Sequence, residues 1–192
     1  DRSALPPQEP KPPYPYQVEE VRFVNSTDGD TLAGTLTMPT TPGPHRAVVM
    51  ITGSGPQSRD EPVMNHRPFL VWADALTRLG IAVLRYDDRG VGASTGNFNE
   101  ARTADLARDV EAAVDYLRSR KEIDNQRIGL IGHSEGGMIA PIVAVSRPKD
   151  VSFIVLLAAP GLRGDSILVM QNEVISRRSH TPDSIREATV QL

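Results

Sequence analysis

Four short runs of apolar residues constrain the fold of this chain more than any other feature of its sequence. Each run is nearly continuous and rich in valine and isoleucine, as expected for parallel strands whose two faces are both buried. The runs are RAVVMITG (46–53), GIAVLRYD (80–87), RIGLIGHS (127–134) and VSFIVLLAAP (151–160). Segments with helical periodicity separate them. The pattern therefore predicts an α/β fold, with right-handed strand–helix–strand crossovers and a mostly parallel sheet that carries helices on both faces.

The segments between the runs carry signals for helices. Before the second run, Pro68 suits the first turn of a helix, Gly80 suits its end, and Trp72 is predicted to face the core. Before the third run, Thr103 is predicted as the N-cap of a second helix. This helix has an apolar stripe, which is expected to be buried. The stripe consists of Leu106, Val110, Ala113 or Val114, and Leu117.

Two segments with alternating apolar and polar residues precede the runs, residues 16–26 and 31–39. They predict a β-hairpin with one solvated face, at an antiparallel edge of the sheet. Six of the first 16 residues are prolines. Because proline lacks an amide donor and fixes φ, residues 1–16 are interpreted as an extended leader. An exported chain without its signal peptide and a trimmed cytoplasmic chain both fit this leader, so the localisation stays open.

Composition excludes several classes of protein. The chain has no cysteine, so thiolate metal sites and cysteine nucleophiles are excluded, and its net charge of -3 does not indicate a nucleic-acid-binding surface. Its four histidines lack the paired spacing of a metal site. The longest apolar stretch, FIVLLAAPGL, is far shorter than the roughly 20 residues that span a bilayer. We therefore predict no metal, no nucleic-acid partner and no membrane span.

The third run ends in a serine between two glycines, in the sequence Gly132-His133-Ser134-Glu135-Gly136. A serine nucleophile needs a base and an exposed position. A G-x-S-x-G turn between a strand and a helix provides the exposure, because its glycines let neighbouring backbone approach closely. A helix is predicted to begin directly after the serine. This context predicts Ser134 as a nucleophile; the alternative is a glycine-rich turn that only reverses the chain.

The loop after the first run, Thr52-Gly53-Ser54-Gly55, is a candidate for half of an oxyanion hole. We predict the backbone N–H groups of Ser54 and Glu135 as the two donors, with Gly53 and Gly55 allowing the backbone to turn inward. An ordinary strand–helix turn is the alternative. A phosphate-binding P-loop is disfavoured because the segment lacks the Gly-Lys-Ser/Thr ending that such loops require.

Together these segments resemble the α/β-hydrolase superfamily, in particular its capped serine esterases and serine-aminopeptidase-like hydrolases. ITGSGPQSRDE (51–61), LRYDDRGVGAST (84–95) and GLIGHSEGGMIAP (129–141) carry the resemblance, which extends over residues 17–192. It implies an eight-stranded sheet, a lid inserted after the sixth strand, and hydrolysis of an ester or related acyl bond. On this interpretation residues 17–160 are the N-terminal part of the core and residues 161–192 begin the lid.

Other polar residues near these motifs are predicted to have structural roles. Asp88 and Arg89 are expected to hold the shape of their loop through an Asp–Arg pair, rather than to act in catalysis. His133 is expected to pack at the turn, because adjacent side chains at a strand end point apart. Three charged residues are expected to stabilise the oxyanion loop or to line the rim of the pocket: Arg59, Asp60 and Glu61.

The acid and the histidine of a triad have no good candidates in the sequence. In this fold they follow the nucleophile in the order acid, then histidine. The predicted strands number six, Ser134 follows the fifth, and His180 is the one later histidine, with no strand leading to it. Asp165 follows the sixth strand but has no histidine to orient. We therefore expect a chain truncated after the sixth strand and the start of the lid. Either the missing C-terminal segment or another copy would cover the sheet edge.

The predicted function is that of a serine hydrolase that cleaves a small-molecule carboxylic ester through an acyl-enzyme on Ser134. We predict no organic cofactor, because acyl hydrolysis by a serine needs none. Thioester and peptide bonds stay open as substrates, because their hydrolysis uses the same groups. The alternative from another class is a catalytically inactive hydrolase-fold domain that serves as a binding module.

Overall fold

The computed structural model describes residues 8–162 and 164–178. These residues belong to two compact units, of which the first ends at Ala159 and the second begins at Pro160. The elements of the first unit are β1 (Gln17–Asn25), β2 (Asp30–Met38), β3 (His45–Ile51), α1 (Pro68–Arg78), β4 (Ile81–Tyr86), α2 (Thr103–Ser119), β5 (Ile123–His133), α3 (Gly136–Ser146) and β6 (Phe153–Leu157). The second unit contains α4 (Gly164–Arg178).

The strands form one sheet in the order β1-β2-β4-β3-β5-β6. The hairpin β1–β2 is antiparallel and joins the sheet through an antiparallel β2–β4 pair. The pairs β4–β3, β3–β5 and β5–β6 are parallel. The predicted mostly parallel sheet with an antiparallel edge is thus confirmed, as is the position of Ser134 after the fifth strand.

Helices cover both faces of the sheet because residues along each central strand alternate between two cores. On one face, Val49 and Leu84 pack with the apolar stripe of α2 and with α3. On the other face, Val48 and Val83 pack with Phe69 of α1 and its neighbours. The stripe predicted for α2 is confirmed, since Val110, Ala113, Val114 and Leu117 are all fully buried.

Two local predictions are wrong. Trp72 does not face the core: the buried positions of α1 are Phe69, Ala73 and Thr77, and Trp72 lies beside this stripe with 43% of its surface exposed. The N-cap of α2 is Arg102, whose N–H donates to the Asp105 carboxylate, and Thr103 is the first helical residue.

β6 lies at the end of the sheet, where the sequence predicts an apolar edge that further polypeptide or another copy would cover. Its apolar side chains are largely exposed, because β5 is the one strand that pairs with it among the described residues.

The described part of the proline-rich segment, residues 8–16, contacts α1. The Tyr16 hydroxyl donates to Asp74 over 2.7 Å, and the guanidinium of Arg67 donates to both carboxylate oxygens of Glu9. Among the described residues, no helix is both long enough and apolar enough to cross a membrane.

Candidate active site

Ser134 occupies a strained turn between β5 and α3. Its φ is +50°, in the left-handed region that residues other than glycine seldom adopt. The Ser134 N–H donates to the carbonyl of Leu157 in β6 over 2.9 Å, which anchors the turn to the next strand. Strain of this kind persists only where surrounding contacts hold it, and it is concentrated at functional sites.

The glycines on either side of Ser134 permit close approach of backbone. A Cβ at Gly132 would lie 2.1 Å from the carbonyl oxygen of Gly136, and a Cβ at Gly136 would lie 2.3 Å from that of Ile51. Either side chain would displace backbone atoms. These two glycines therefore let the turn close over the end of β3.

The loop after β3 presents the other predicted oxyanion donor. Gly55 has a φ of +86°, and Gly53 is confined by contact instead, since a Cβ there would lie 3.1–3.3 Å from atoms of Glu61, His133 and Ser134. The Gly53 N–H donates to the Glu61 carboxylate over 2.7 Å, so it is not available to a substrate.

The two amides that were predicted as oxyanion donors are unoccupied. Within residues 8–162 and 164–178, neither the Ser54 N–H nor the Glu135 N–H has a hydrogen-bond acceptor. Ser54 lines the same cleft as Ser134, and Glu135 directly follows Ser134 in the chain. Neither amide is therefore committed to a partner within the described part of the fold.

Glu61 connects the loop to the turn. Its Oε1 atom accepts from the Gly53 N–H and lies 2.7 Å from Nδ1 of His133. Its side chain is only 8% exposed, and its own φ is +50°. Glu61 therefore both fastens the loop and lines the cleft, whereas the sequence left these as alternatives. Its contact with His133 was not foreseen, because 72 residues separate the two.

Carboxylates after β4 hold the other side of the loop. Asp88 accepts from the Thr52 hydroxyl over 2.8 Å and from the Gln57 N–H over 2.9 Å. Asp87 accepts from both the backbone N–H and the guanidinium of Arg59. The loop is thus fixed by three carboxylates, those of Glu61, Asp87 and Asp88.

The predicted pairing within the loop after β4 needs correction. Arg89 does not pair with its neighbour Asp88; it binds the buried Asp109 of α2 through two guanidinium nitrogens, and it also contacts Asp28. Asp88 is directed to the oxyanion loop instead. The sequence shows the residues able to form ion pairs, but adjacency in the chain does not identify the partners.

The pKa values of the neighbouring carboxyls Asp88 and Asp87 are shifted in opposite directions. Burial raises the pKa of Asp88 from 3.8 to about 7, although the hydrogen bonds from Gln57 and Thr52 favour its charged form. Burial also acts to raise the pKa of Asp87, but the hydrogen bonds from Arg59 outweigh it, so the pKa lies below its ordinary value.

The raised pKa of Asp88 makes stability depend on pH. Between about pH 4 and pH 7 the Asp88 carboxyl is more protonated in the folded protein than in the unfolded chain, so its contribution to the free energy of unfolding should fall as the pH rises, by at most about 4 kcal/mol. Asp88→Asn should flatten this fall, because the amide does not ionise. Urea unfolding at pH 4.5 to 8 measures the difference.

Asp87→Asn is the matched control for this pH dependence. Its carboxyl has a lowered pKa, so its contribution is complete above about pH 5 and its loss should leave the slope above that pH unchanged. An Asp88→Asn variant that keeps the wild-type slope would show that Asp88 is not the titrating group.

An open cleft of about 510 Å³ lies above the turn, within the first unit. Ser54 and Ser134 are the two serines of its lining, and His133 and Glu61 are its titratable residues. Its remaining lining residues are Gly53, Gln57, Pro62, Val63, Pro68, Phe69, Trp72 and Leu157. The exposed face of Trp72 therefore belongs to the wall of the cleft, a role that sequence analysis missed.

Comparison with known families agrees with this geometry. The sequence profile of the serine aminopeptidase S33 family matches residues 67–180, which is more than half of the chain. The chain belongs to this family. The resemblance to serine-aminopeptidase-like α/β hydrolases noted from the sequence is thereby confirmed.

Individual relatives of this S33-family chain include an esterase. Esterase EstD of Thermotoga maritima is 33% identical over 129 residues, which cover 67% of this chain and 30% of EstD. The Pyrococcus furiosus esterase Pf2001 superposes with a TM-score of 0.60 at 26% identity, over 76% of this chain and 52% of that one. The α/β hydrolase GrgF from Penicillium superposes with a TM-score of 0.64 at 23% identity, over 85% and 55% of the two chains. The chain thus spans under a third of EstD and about half of each solved structure.

Asp165 and His180 are the triad candidates that follow Ser134 in the sequence. Asp165 lies in α4 of the second unit, and His180 lies outside the described residues. Of the histidines in the described residues, His133 is the one that lines the cleft. Its Nδ1 is engaged with Glu61, and no hydrogen bond joins it to Ser134 in that part of the chain.

Proposed function

We propose that this S33-family chain carries the nucleophile and the oxyanion hole of a serine hydrolase that cleaves carboxylic esters. The observation that carries the proposal is the left-handed backbone of Ser134 at the strand–helix turn, followed directly by an amide without an acceptor. This combination supports a nucleophilic hydroxyl at the cleft with an oxyanion donor next to it. The esterase names of EstD and Pf2001 support an ester, rather than a peptide, as the substrate.

The reaction proceeds in two steps. A base takes the proton of the Ser134 hydroxyl, and Oγ attacks the carbonyl carbon of the ester. The N–H groups of Ser54 and Glu135 bind the oxyanion of the tetrahedral intermediate, which collapses as the alcohol leaves with the proton. Water then attacks the acyl-enzyme, the base takes a proton from it, and the carboxylic acid departs as Ser134 is reprotonated.

The base and the acid belong, in this proposal, to polypeptide outside the 192 residues. His133 is already hydrogen-bonded through Nδ1 to Glu61, and it serves to pack the turn. The match covers 30% of EstD, so a protein as long as EstD has room for the base and the acid beyond the matched part. Activity tests therefore need the full-length protein.

Covalent labelling tests the nucleophile directly. A fluorophosphonate should label the full-length protein once, and peptide mass spectrometry should place the adduct on Ser134, because the activated hydroxyl displaces the leaving group from phosphorus. Ser134→Ala should abolish labelling.

Ser54→Ala is the matched control for labelling, since Ser54 lies in the same cleft and keeps its backbone N–H in the variant. It should label at close to the wild-type rate. An adduct that persists in Ser134→Ala, or that maps to Ser54, would refute the assignment.

A further inference from the structure

We propose that the wall of the cleft formed by α1 and the segment before it binds the acyl group, and that it selects an uncharged ester with an aromatic acyl group. This inference rests on the proposed function, because Ser134 marks where the reacting carbonyl carbon would lie. The wall, called here the Trp72 wall, consists of Pro62, Val63, Pro68, Phe69 and Trp72.

Exposure of Trp72 is the first observation behind this inference. The residues next to it on α1, Phe69 and Ala73, are fully packed into the core, whereas the indole is 43% exposed and lines the cleft. A large apolar surface beside a candidate nucleophile gains free energy when a ligand removes it from water.

The rigidity of the Trp72 wall favours a flat ligand over a flexible one. Two of its members are prolines, whose rings have no side-chain rotamers to lose, and the indole has only two side-chain torsions. Aromatic rings also gain attraction from offset-stacked or edge-to-face contact with an indole, beyond the burial of area. A benzoyl group is already flat and can also stack on the indole. An alkyl chain gains no such contact, and it loses conformational entropy when it binds.

Charge in the described part of the cleft favours an uncharged acyl group over an anionic one. Among its described lining residues there is no lysine or arginine, and the two titratable side chains, Glu61 and His133, are paired with each other. A phosphate or carboxylate on the substrate would therefore lose its hydration without meeting a cation. The volume of about 510 Å³ lies within the range of small-molecule sites.

Kinetics with two esters of one alcohol test the selectivity. For vinyl benzoate, Trp72→Ala should lower kcat/KM of the full-length protein about tenfold, because the contact between the benzoyl ring and the indole is lost. For vinyl hexanoate the loss should be at most about threefold, and Trp72→Phe should restore most of the benzoate activity. Leu79→Ala is the matched control, since Leu79 is an apolar residue at the end of α1 that is 77% exposed outside the cleft.

A binding measurement separates this inference from the proposed function. Trp72 is the one tryptophan in the chain, so its fluorescence reports on the wall. In Ser134→Ala, methyl benzoate should quench a signal that Trp72→Phe removes, whether or not Ser134 is the nucleophile. Equal losses for both vinyl esters, or no quenching, would overturn the inference. Failure of fluorophosphonate labelling alongside normal quenching would instead overturn the proposed function.

Discussion

Ser134→Ala should lower kcat for ester hydrolysis by several orders of magnitude, on the order of 10⁶ for groups that act as a unit. The loss follows because the acyl-enzyme cannot form without the hydroxyl. Alanine keeps the Cβ of serine, so the cost of holding φ at +50° changes little and the fold should be retained. Steady-state hydrolysis of vinyl acetate by the full-length protein measures kcat, and circular dichroism checks the fold.

Some acceleration should survive in Ser134→Ala. The two free amides can still stabilise attack by water, and this residual effect is roughly 10³-fold over the uncatalysed rate. A variant that retains more than a few per cent of wild-type kcat would contradict the nucleophile assignment, as would a loss of equal size in Ser54→Ala.

Gly55→Val should reduce kcat by about 10² to 10³, which corresponds to about 3 kcal/mol for one oxyanion donor. The cause is backbone conformation alone: Gly55 has a φ of +86°, and no atom lies within 4 Å of where its Cβ would be. Valine disfavours this φ, so the peptide should rotate and move the neighbouring amide of Ser54. Ser54→Ala should keep most of the activity, since its N–H remains.

Gly80→Val is the matched control for this loop. Gly80 has the same φ of +86° and equally open space, but it lies at the end of α1 outside the cleft. Both glycine variants should lose similar free energy of unfolding in urea titrations, while only Gly55→Val should lose kcat. If Ser54→Ala is crippling and Gly55→Val is benign, the loop acts through a side chain and the proposed oxyanion hole is wrong.

The parallel strands and the turn at Ser134 could be predicted because both depend on local patterns. Continuous apolar runs indicate buried parallel strands, and the glycines around Ser134 report a close backbone approach that no other residue allows. Trp72 was misplaced because a helix position one step from the buried stripe differs little in sequence from one within it.

Contacts between distant residues could not be predicted from such patterns. Glu61 meets His133 across 72 residues, and Arg89 meets Asp109 across 20. Each partner has several other residues of suitable charge within the chain, and only the packed sheet selects among them.

The shared oxygen of Glu61 links substitutions in the loop after β3 to substitutions in the turn at Ser134. One atom serves both the Gly53 amide and the His133 ring, so any substitution that shifts it alters the loop and the turn together. Effects of changes at Gly53 and His133 should then be non-additive, as for residues that share one partner. Substrate preference should therefore change with fewer linked effects at Trp72, which is partly exposed, than at the loop, where Gly53 and His133 share one partner.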